Sequence, residues 1–240
     1  MSRQAGASPP GSAPSQAKPK PDKHTTNDYE KPSVTVDVVI LTLRSQRLDV
    51  LLVKRKHWPD EGMWAIPGGF VEPDESLEEG ARRELEEETG VRDVYLEQVY
   101  TFGDPHRDPR GRVITVVYYA LIPPDSVKAI AGDDAAAAQW FPAYALPSLA
   151  FDHEKILSYV WQRLKGKLEY TQIGFQLLPS EFTLSELQVV YEAILNKRLD
   201  KRNFRRKVLS TGILEQTLET RKVGQHRPAA LFRFNPRAEK

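Results

Sequence analysis

The chain contains no cysteine. That absence excludes a disulfide framework, a Cys-ligated zinc site, an iron–sulfur cluster and a thiol nucleophile. No apolar run approaches the roughly 18 residues of a membrane span, so no membrane contact is expected. Residues 1–30 hold five prolines but no Val, Ile, Leu, Phe or Trp. Such a segment cannot bury enough apolar area to offset chain entropy, and it lacks the apolar stretch of a signal peptide. It reads as a disordered tail of a cytoplasmic protein. Net charge is scarce too: 34 basic against 33 acidic side chains leaves +1, which excludes an indiscriminately basic protein. What remains is 240 residues, 40% apolar and 28% charged, an ordinary globular composition with room for one or two domains.

The near-zero charge is a sum of unlike parts. Residues 1–71 carry +3, residues 72–93 carry −7, residues 94–180 carry −1 and residues 181–240 carry +6. An acidic block attracts cations and a basic quarter attracts polyanions. The total therefore does not argue against a nucleic-acid partner.

Alternating and continuous apolar runs predict strands at Val34–Leu43, Asp49–Arg55, Val94–Phe102 and Arg112–Ile122, with a short one at Gln139–Phe141. Helical spacing of Leu77, Ala81 and Leu85 predicts a helix over 76–89, stopped by Gly90. A second amphipathic helix is expected over 152–165. The pattern weakens over 166–180, where a domain boundary is placed. Beyond it Thr183-Leu-Ser-Glu186 is a capping box. A helix follows it, then a basic helical stretch at 200–210 and two extended runs near 213–216 and 230–234. Strands and helices mix without strict alternation, so the fold class is α+β with a mixed sheet.

On the acidic helix, Glu84, Glu87 and Glu88 stand at i, i+3 and i+4 and share one face. A Glu-rich face alone reads as solvated surface. Like charges there repel, and a hard divalent cation with oxygen ligands would relieve them. The surrounding spacing is more specific. Gly69-x5-Glu75-x7-Arg83-Glu84-Leu85-x-Glu87-Glu88-x-Gly90-Val91 matches nine specified positions over 23 residues. It resembles the Nudix box, and residues 34–166 resemble a Nudix hydrolase domain. The resemblance implies an α/β/α sandwich and hydrolysis of a nucleoside diphosphate linked to another moiety. It implies Mg²⁺ or Mn²⁺ on Glu84, Glu87 and Glu88, with Arg83 orienting the carboxylates. It also implies close backbone approach at Gly69 and a helix stop at Gly90. For the general base, Asp133, Asp134, Asp152 and Glu154 stay open beside a box Glu. His153, alone between two acids, reads as structural.

Arg55, Arg107, Arg110 and Arg112 are the candidates for substrate phosphate or ribose, since a guanidinium offers phosphate oxygens a two-pronged donor. For any one of them a surface ion pair is an equal alternative. The run Gly103-Asp-Pro-His-Arg107-Asp-Pro-Arg110-Gly-Arg112 resembles ADP-ribose-handling Nudix proteins. That implies ADP-ribose as substrate, giving AMP and ribose 5-phosphate, with a nucleoside triphosphate or a dinucleotide as alternatives.

In the basic quarter, Arg202, Arg205, Arg206 and Lys207 lie on one short helix that Asp200 can cap and that Phe204 and Leu209 can pack. Helix, basic helix and hairpin are the parts of a winged helix-turn-helix, with Arg221, Lys222, His226 and Arg227 in or beside the wing. A basic hairpin that only closes a dimer would share that charge. The runs Leu199-Asp-x-Arg-Asn-Phe-Arg-Arg-Lys207 and Gly224-x-x-Arg-Pro-Ala-x-Leu-Phe-Arg-Phe234 resemble the Nudix-related transcriptional regulators of NAD metabolism. The expected organisation is a tail at 1–30, a Nudix domain at 34–166, a linker at 167–180 and a DNA-binding winged helix at 181–235. The expected partners are an ADP-ribose-type ligand, double-stranded DNA and a second copy of the chain. Many such regulators have a degraded box, whereas this one keeps every specified position. Hydrolase and non-catalytic sensor both stay open.

Overall fold

A computed structural model describes residues 31–124, 138–222 and 228–235. The expected tail, the base candidates Asp133 and Asp134, and the wing residues His226 and Arg227 lie outside these ranges.

The sheet is built on β1 (Ser33–Arg44), whose run Val36–Leu41 is almost wholly buried. Its side chains alternate between two layers, Val36, Val38 and Ile40 on one face and Val39 and Leu41 on the other. β2 (Arg47–Lys54) returns antiparallel through a tight turn, with Ser45 and Gln46 at positive φ. β3 (Trp64–Ala65) pairs with β2, and β4 (Gly68–Phe70) pairs with the start of β1. β5 (Tyr95–Phe102) and β6 (Val113–Ile122) form an antiparallel pair, and β6 runs parallel to β1. β7 (Ala138–Pro142) closes on β2. The result is a mixed seven-stranded sheet with the path β3-β2-β1-β6-β5.

Helix α1 (Leu77–Thr89) covers one face through Ala81 and Leu85. Ser76 and Glu79 form its capping box, and Gly90 ends it at φ 66°, a left-handed turn that costs glycine nothing. Helix α2 (His153–Tyr170) covers the other face through Ile156, Leu157, Val160 and Leu164. The two layers and the sheet make the expected α/β/α sandwich.

α2 runs five residues past its expected end and straight through Gly166. A mid-helix glycine costs about 1 kcal/mol against alanine, so tertiary contacts must carry the extra turn. Lys167 pairs with Glu97 of β5, Tyr95 and Tyr119 donate to the same carboxylate, and Leu168 is buried. A 3₁₀ turn over Ile173–Leu177 then buries Ile173, Phe175 and Leu177 in the same core. Residues 167–180, expected as a linker, are helix end and packed turn. Their apolar residues are too irregularly spaced to show a period in sequence.

The C-terminal part comprises α3 (Leu184–Leu195), α4 (Lys201–Ser210) and a hairpin of β8 (Leu214–Arg221) and β9 (Ala229–Phe234). Thr183 and Glu186 cap α3 reciprocally, and α3 packs on both α2 and β2. Phe182 pairs through its backbone with Phe232, tying the entry of α3 to the hairpin. Among the described residues no helix is long and apolar enough to cross a membrane.

Candidate functional site

The box is organised around one guanidinium. Arg83, on the second turn of α1, reaches Glu75 at 2.8 and 3.1 Å, Glu84 at 2.7 Å and the Phe70 carbonyl at 3.2 Å. Glu87 stands 3.5 Å away. The Glu75 carboxyl, bonded by Arg83 and by the Glu72 N–H, is held below the usual range. Glu84 goes the other way, because burial outweighs the help it draws from Arg83. Glu88 is raised by burial and then by the charges of Glu84 and Glu87. Two desolvated carboxylates on one helix face thus hold negative charge that the protein does not fully compensate. Gly69 abuts this cluster: a Cβ there would sit 2.1 Å from a Glu84 oxygen. The glycine expected to admit metal or phosphate therefore also makes room for Glu84 itself.

Among the described residues no three His, Asp or Glu side chains form a ready-made metal cage. Glu84 leans on Arg83, and Glu87 is largely exposed. The donors are nevertheless all oxygens, and two of them are desolvated. That suits a hard cation which keeps several waters and takes further ligands from a substrate phosphate.

Beside Gly69 opens a cleft of about 270 Å³, lined by Arg55, Phe70, Arg107, Arg110, Phe151 and His153 among others. It brings together Arg55, Gly69, Arg107 and Arg110. Arg112 is not among its lining residues; its guanidinium donates to the Gly103 and Asp104 carbonyls at 2.7 and 3.4 Å and braces the loop. Arg107 is buried and forks onto Asp152 at 2.7 and 3.2 Å, with Asp37 at 3.8 Å. Arg110 grips Asp108 at 2.6 Å. The base candidate Asp152 is thus engaged by Arg107, and Glu154 does not line the cleft. His153 is buried, and its Nδ1 accepts the Ile66 N–H at 2.9 Å. Burial holds it below the ordinary imidazole value, in keeping with a neutral structural role.

The basic helix α4 is capped by Asp200, which accepts the Asn203 N–H at 2.8 Å. Phe204 and Val208 bury its inner face, Phe204 edge-on to Tyr191 at 5.3 Å. Leu209, expected to pack, is instead exposed, because i to i+4 from Phe204 is Val208. Arg202, Arg206 and Lys207 point to solvent, Arg206 bonded to Asn203 at 2.8 Å. Arg205 is half-buried and reaches Ser185 of α3 at 3.3 Å. In the hairpin, Arg221 bonds Glu186 at 2.9 Å and the Glu181 carbonyl at 3.1 Å, and Arg233 pairs with Glu181 at 2.6 Å.

The model of the NUDIX domain matches residues 31–160, more than half of the chain. The chain belongs to the Nudix family. Behind the Nudix domain, the NrtR DNA-binding winged helix domain matches residues 174–234, so that match begins within the 3₁₀ turn. The chain is 40% identical over 218 residues to the ADPR responsive transcriptional repressor NtrR of Acinetobacter baylyi, covering 88% of this chain and 86% of that protein. It is 43% identical over 129 residues to the ADP-ribose pyrophosphatase of Methanocaldococcus jannaschii, covering 54% and 73% respectively. Shewanella oneidensis NrtR, solved in complex with a 27mer DNA, superposes with a TM-score of 0.75 at 38% identity, covering 85% of this chain and 94% of that one.

Sequence reasoning missed the aromatic residues of the Nudix cleft, Phe70 and Phe151, and the fork from Arg107 to Asp152. Phe151 carried a local signal only in standing next to the Asp-His pair. Nothing in the sequence marks a contact between residues 45 positions apart.

Proposed function

We propose that this protein binds ADP-ribose in the cleft beside Gly69, hydrolyses it to AMP and ribose 5-phosphate, and binds double-stranded DNA through α4 and the β8–β9 hairpin. In this reading it is a cytoplasmic homodimer that ties ADP-ribose level to transcription of NAD-metabolism genes. The observation that carries it is the joining, in one chain, of a complete Nudix box and the winged helix of DNA-binding relatives. Glu84, Glu87 and Glu88 are the proposed ligands of Mg²⁺ or Mn²⁺. When bound, such an ion neutralises pyrophosphate oxygens and acidifies a water. Arg83 fixes Glu75 and Glu84 in advance, so no reorganisation is needed when substrate arrives. Arg55 and Arg110 orient the substrate's phosphates. On the DNA side, Arg202, Arg206 and Lys207 are free to meet phosphates or guanine edges, with Arg205 anchored at the α3 junction.

A second reading, an ADP-ribose-sensing repressor without catalysis, is favoured by one observation: the relative matched at 40% identity over 88% of this chain is itself an ADPR responsive transcriptional repressor. One experiment separates the two. Operator DNA is titrated with the protein, with and without ADP-ribose, and AMP is assayed in the same tube with Mg²⁺ or Mn²⁺. Metal-dependent AMP release that Glu87→Gln abolishes supports the hydrolase. A DNA shift altered by ADP-ribose without any AMP supports the sensor. No DNA shift at all removes the regulatory half of the proposal.

A further inference from the structure

Phe151 sits in the cleft with φ 52°, a left-handed backbone that a bulky side chain adopts only against steric resistance. Strain of this kind persists where the surroundings over-determine it and clusters at ligand sites. Here the surroundings are visible. The Phe151 N–H donates to Asp60 Oδ2 at 2.9 Å, and the residue leads directly into the Asp152 end of α2, which Arg107 holds. The ring is faced by two guanidiniums, Arg55 with its central carbon 4.5 Å from the ring centroid and Arg110 at 5.8 Å. Arg110 also lies 5.4 Å from the Phe70 ring, and Arg55 is tethered to the Pro59 carbonyl at 2.7 Å.

Two cations on one aromatic ring repel, and the repulsion registers. Burial and then the Arg110 charge push the Arg55 guanidinium below its ordinary value, with Asp60 and Asp108 only partly compensating. The attraction of each guanidinium to the ring offsets part of that cost. An anion between them would offset the rest.

We propose that Phe151 is a positioning residue: held in strained geometry by Asp60, its ring keeps Arg55 and Arg110 side by side so that both guanidiniums converge on the diphosphate bridge of the ligand. Each guanidinium can present two parallel N–H donors to a phosphate, so two of them suit a diphosphate better than a monophosphate. The inference rests on the cleft being an ADP-ribose site. It adds a residue that touches the arginines and sets which phosphate class the cleft prefers.

The test is calorimetric titration of the full chain, in buffer with chelator so that no turnover occurs. ADP-ribose and AMP are each titrated into wild type, Phe151→Leu and Phe151→Tyr. Leucine keeps apolar bulk and removes the ring, whereas tyrosine keeps the ring. Phe151→Leu is expected to weaken ADP-ribose about tenfold while AMP changes about threefold or less, and Phe151→Tyr should stay within about twofold of wild type. If Phe151→Leu binds ADP-ribose as wild type does, or loses both ligands by the same factor, the positioning role is wrong. A wild-type protein that neither binds ADP-ribose in chelator nor releases AMP from it with Mg²⁺ would overturn the underlying site assignment and this inference with it.

Discussion

The arginines of the cleft and those of α4 are the same residue type put to opposite uses. In the cleft, Arg107 is buried on Asp152, Arg110 is gripped by Asp108, and Arg55 is tethered to a carbonyl and stacked on Phe151. On α4, Arg202, Arg206 and Lys207 stand in solvent, and among the described residues none of them is ion-paired to a carboxylate. A site for one small anion gains from charges fixed before the ligand arrives, since ordering is then not charged against binding. A surface for a polyanion gains instead from unpaired, hydrated charges that release counterions. Guanidinium count says little; what matters is how each is held.

Arg83 is the most tightly held arginine of the box, clamping Glu75 and Glu84 at once. Arg83→Ala should lower metal-dependent AMP release by about 100-fold, the upper end for a residue that orients metal ligands. Arg83→Lys should not restore it, because an ammonium lacks the two-pronged geometry; steady-state assay of AMP decides. On the opposite side of the comparison, Arg206→Ala combined with Lys207→Ala should weaken DNA binding and reduce the slope of log affinity against log salt by about 2. An unchanged slope in shift assays from low to moderate salt would mean these charges do not meet phosphate.

The buried floor of the cleft should show itself through pH. His153 has a folded pKa below its ordinary value, so below pH about 6.5 the unfolded chain takes up a proton that the folded chain refuses. Stability is then fully present above that pH and falls as pH drops through the window, with a limiting slope of about 1.4 kcal/mol per pH unit. Urea unfolding at pH 7.5, 6.5 and 5.5 should show the fall. His153→Asn, which keeps an acceptor for the Ile66 N–H, should flatten it. The smallest effect belongs to Arg112, which braces a loop. Arg112→Ala should leave ADP-ribose affinity within about twofold, as expected for an exposed side chain off the ligand. A larger loss by calorimetry would return Arg112 to the substrate site.

Much of this was legible in advance. The box spacing, the Thr183–Glu186 capping box and the amphipathic faces of α1 and α2 are periodic, local features, whereas the Ser76–Glu79 capping box and the packing of Val208 in place of Leu209 emerged only in the fold. The strands β1, β2 and β6 are largely apolar runs bounded by turn residues, and β5 is a mixed run rich in aromatic and β-branched residues. What escaped was short or non-local. β3 and β4 have two and three residues, too few for any period. The last turn of α2 crosses Gly166 because Lys167 reaches Glu97, a contact 70 positions away.

Local residue order alone dictates the helix that presents Glu84, Glu87 and Glu88, its stop at Gly90 and the basic character of α4. Each follows from spacing within a few turns of chain, where geometry is set by the helix alone. Contacts made in the folded chain set the rest: Arg107 is buried on Asp152, Arg112 braces a loop, and Arg55 and Arg110 both lie against the Phe151 ring. A charge is free or committed according to its partners and its exposure, and both are supplied by chain that lies far away in sequence.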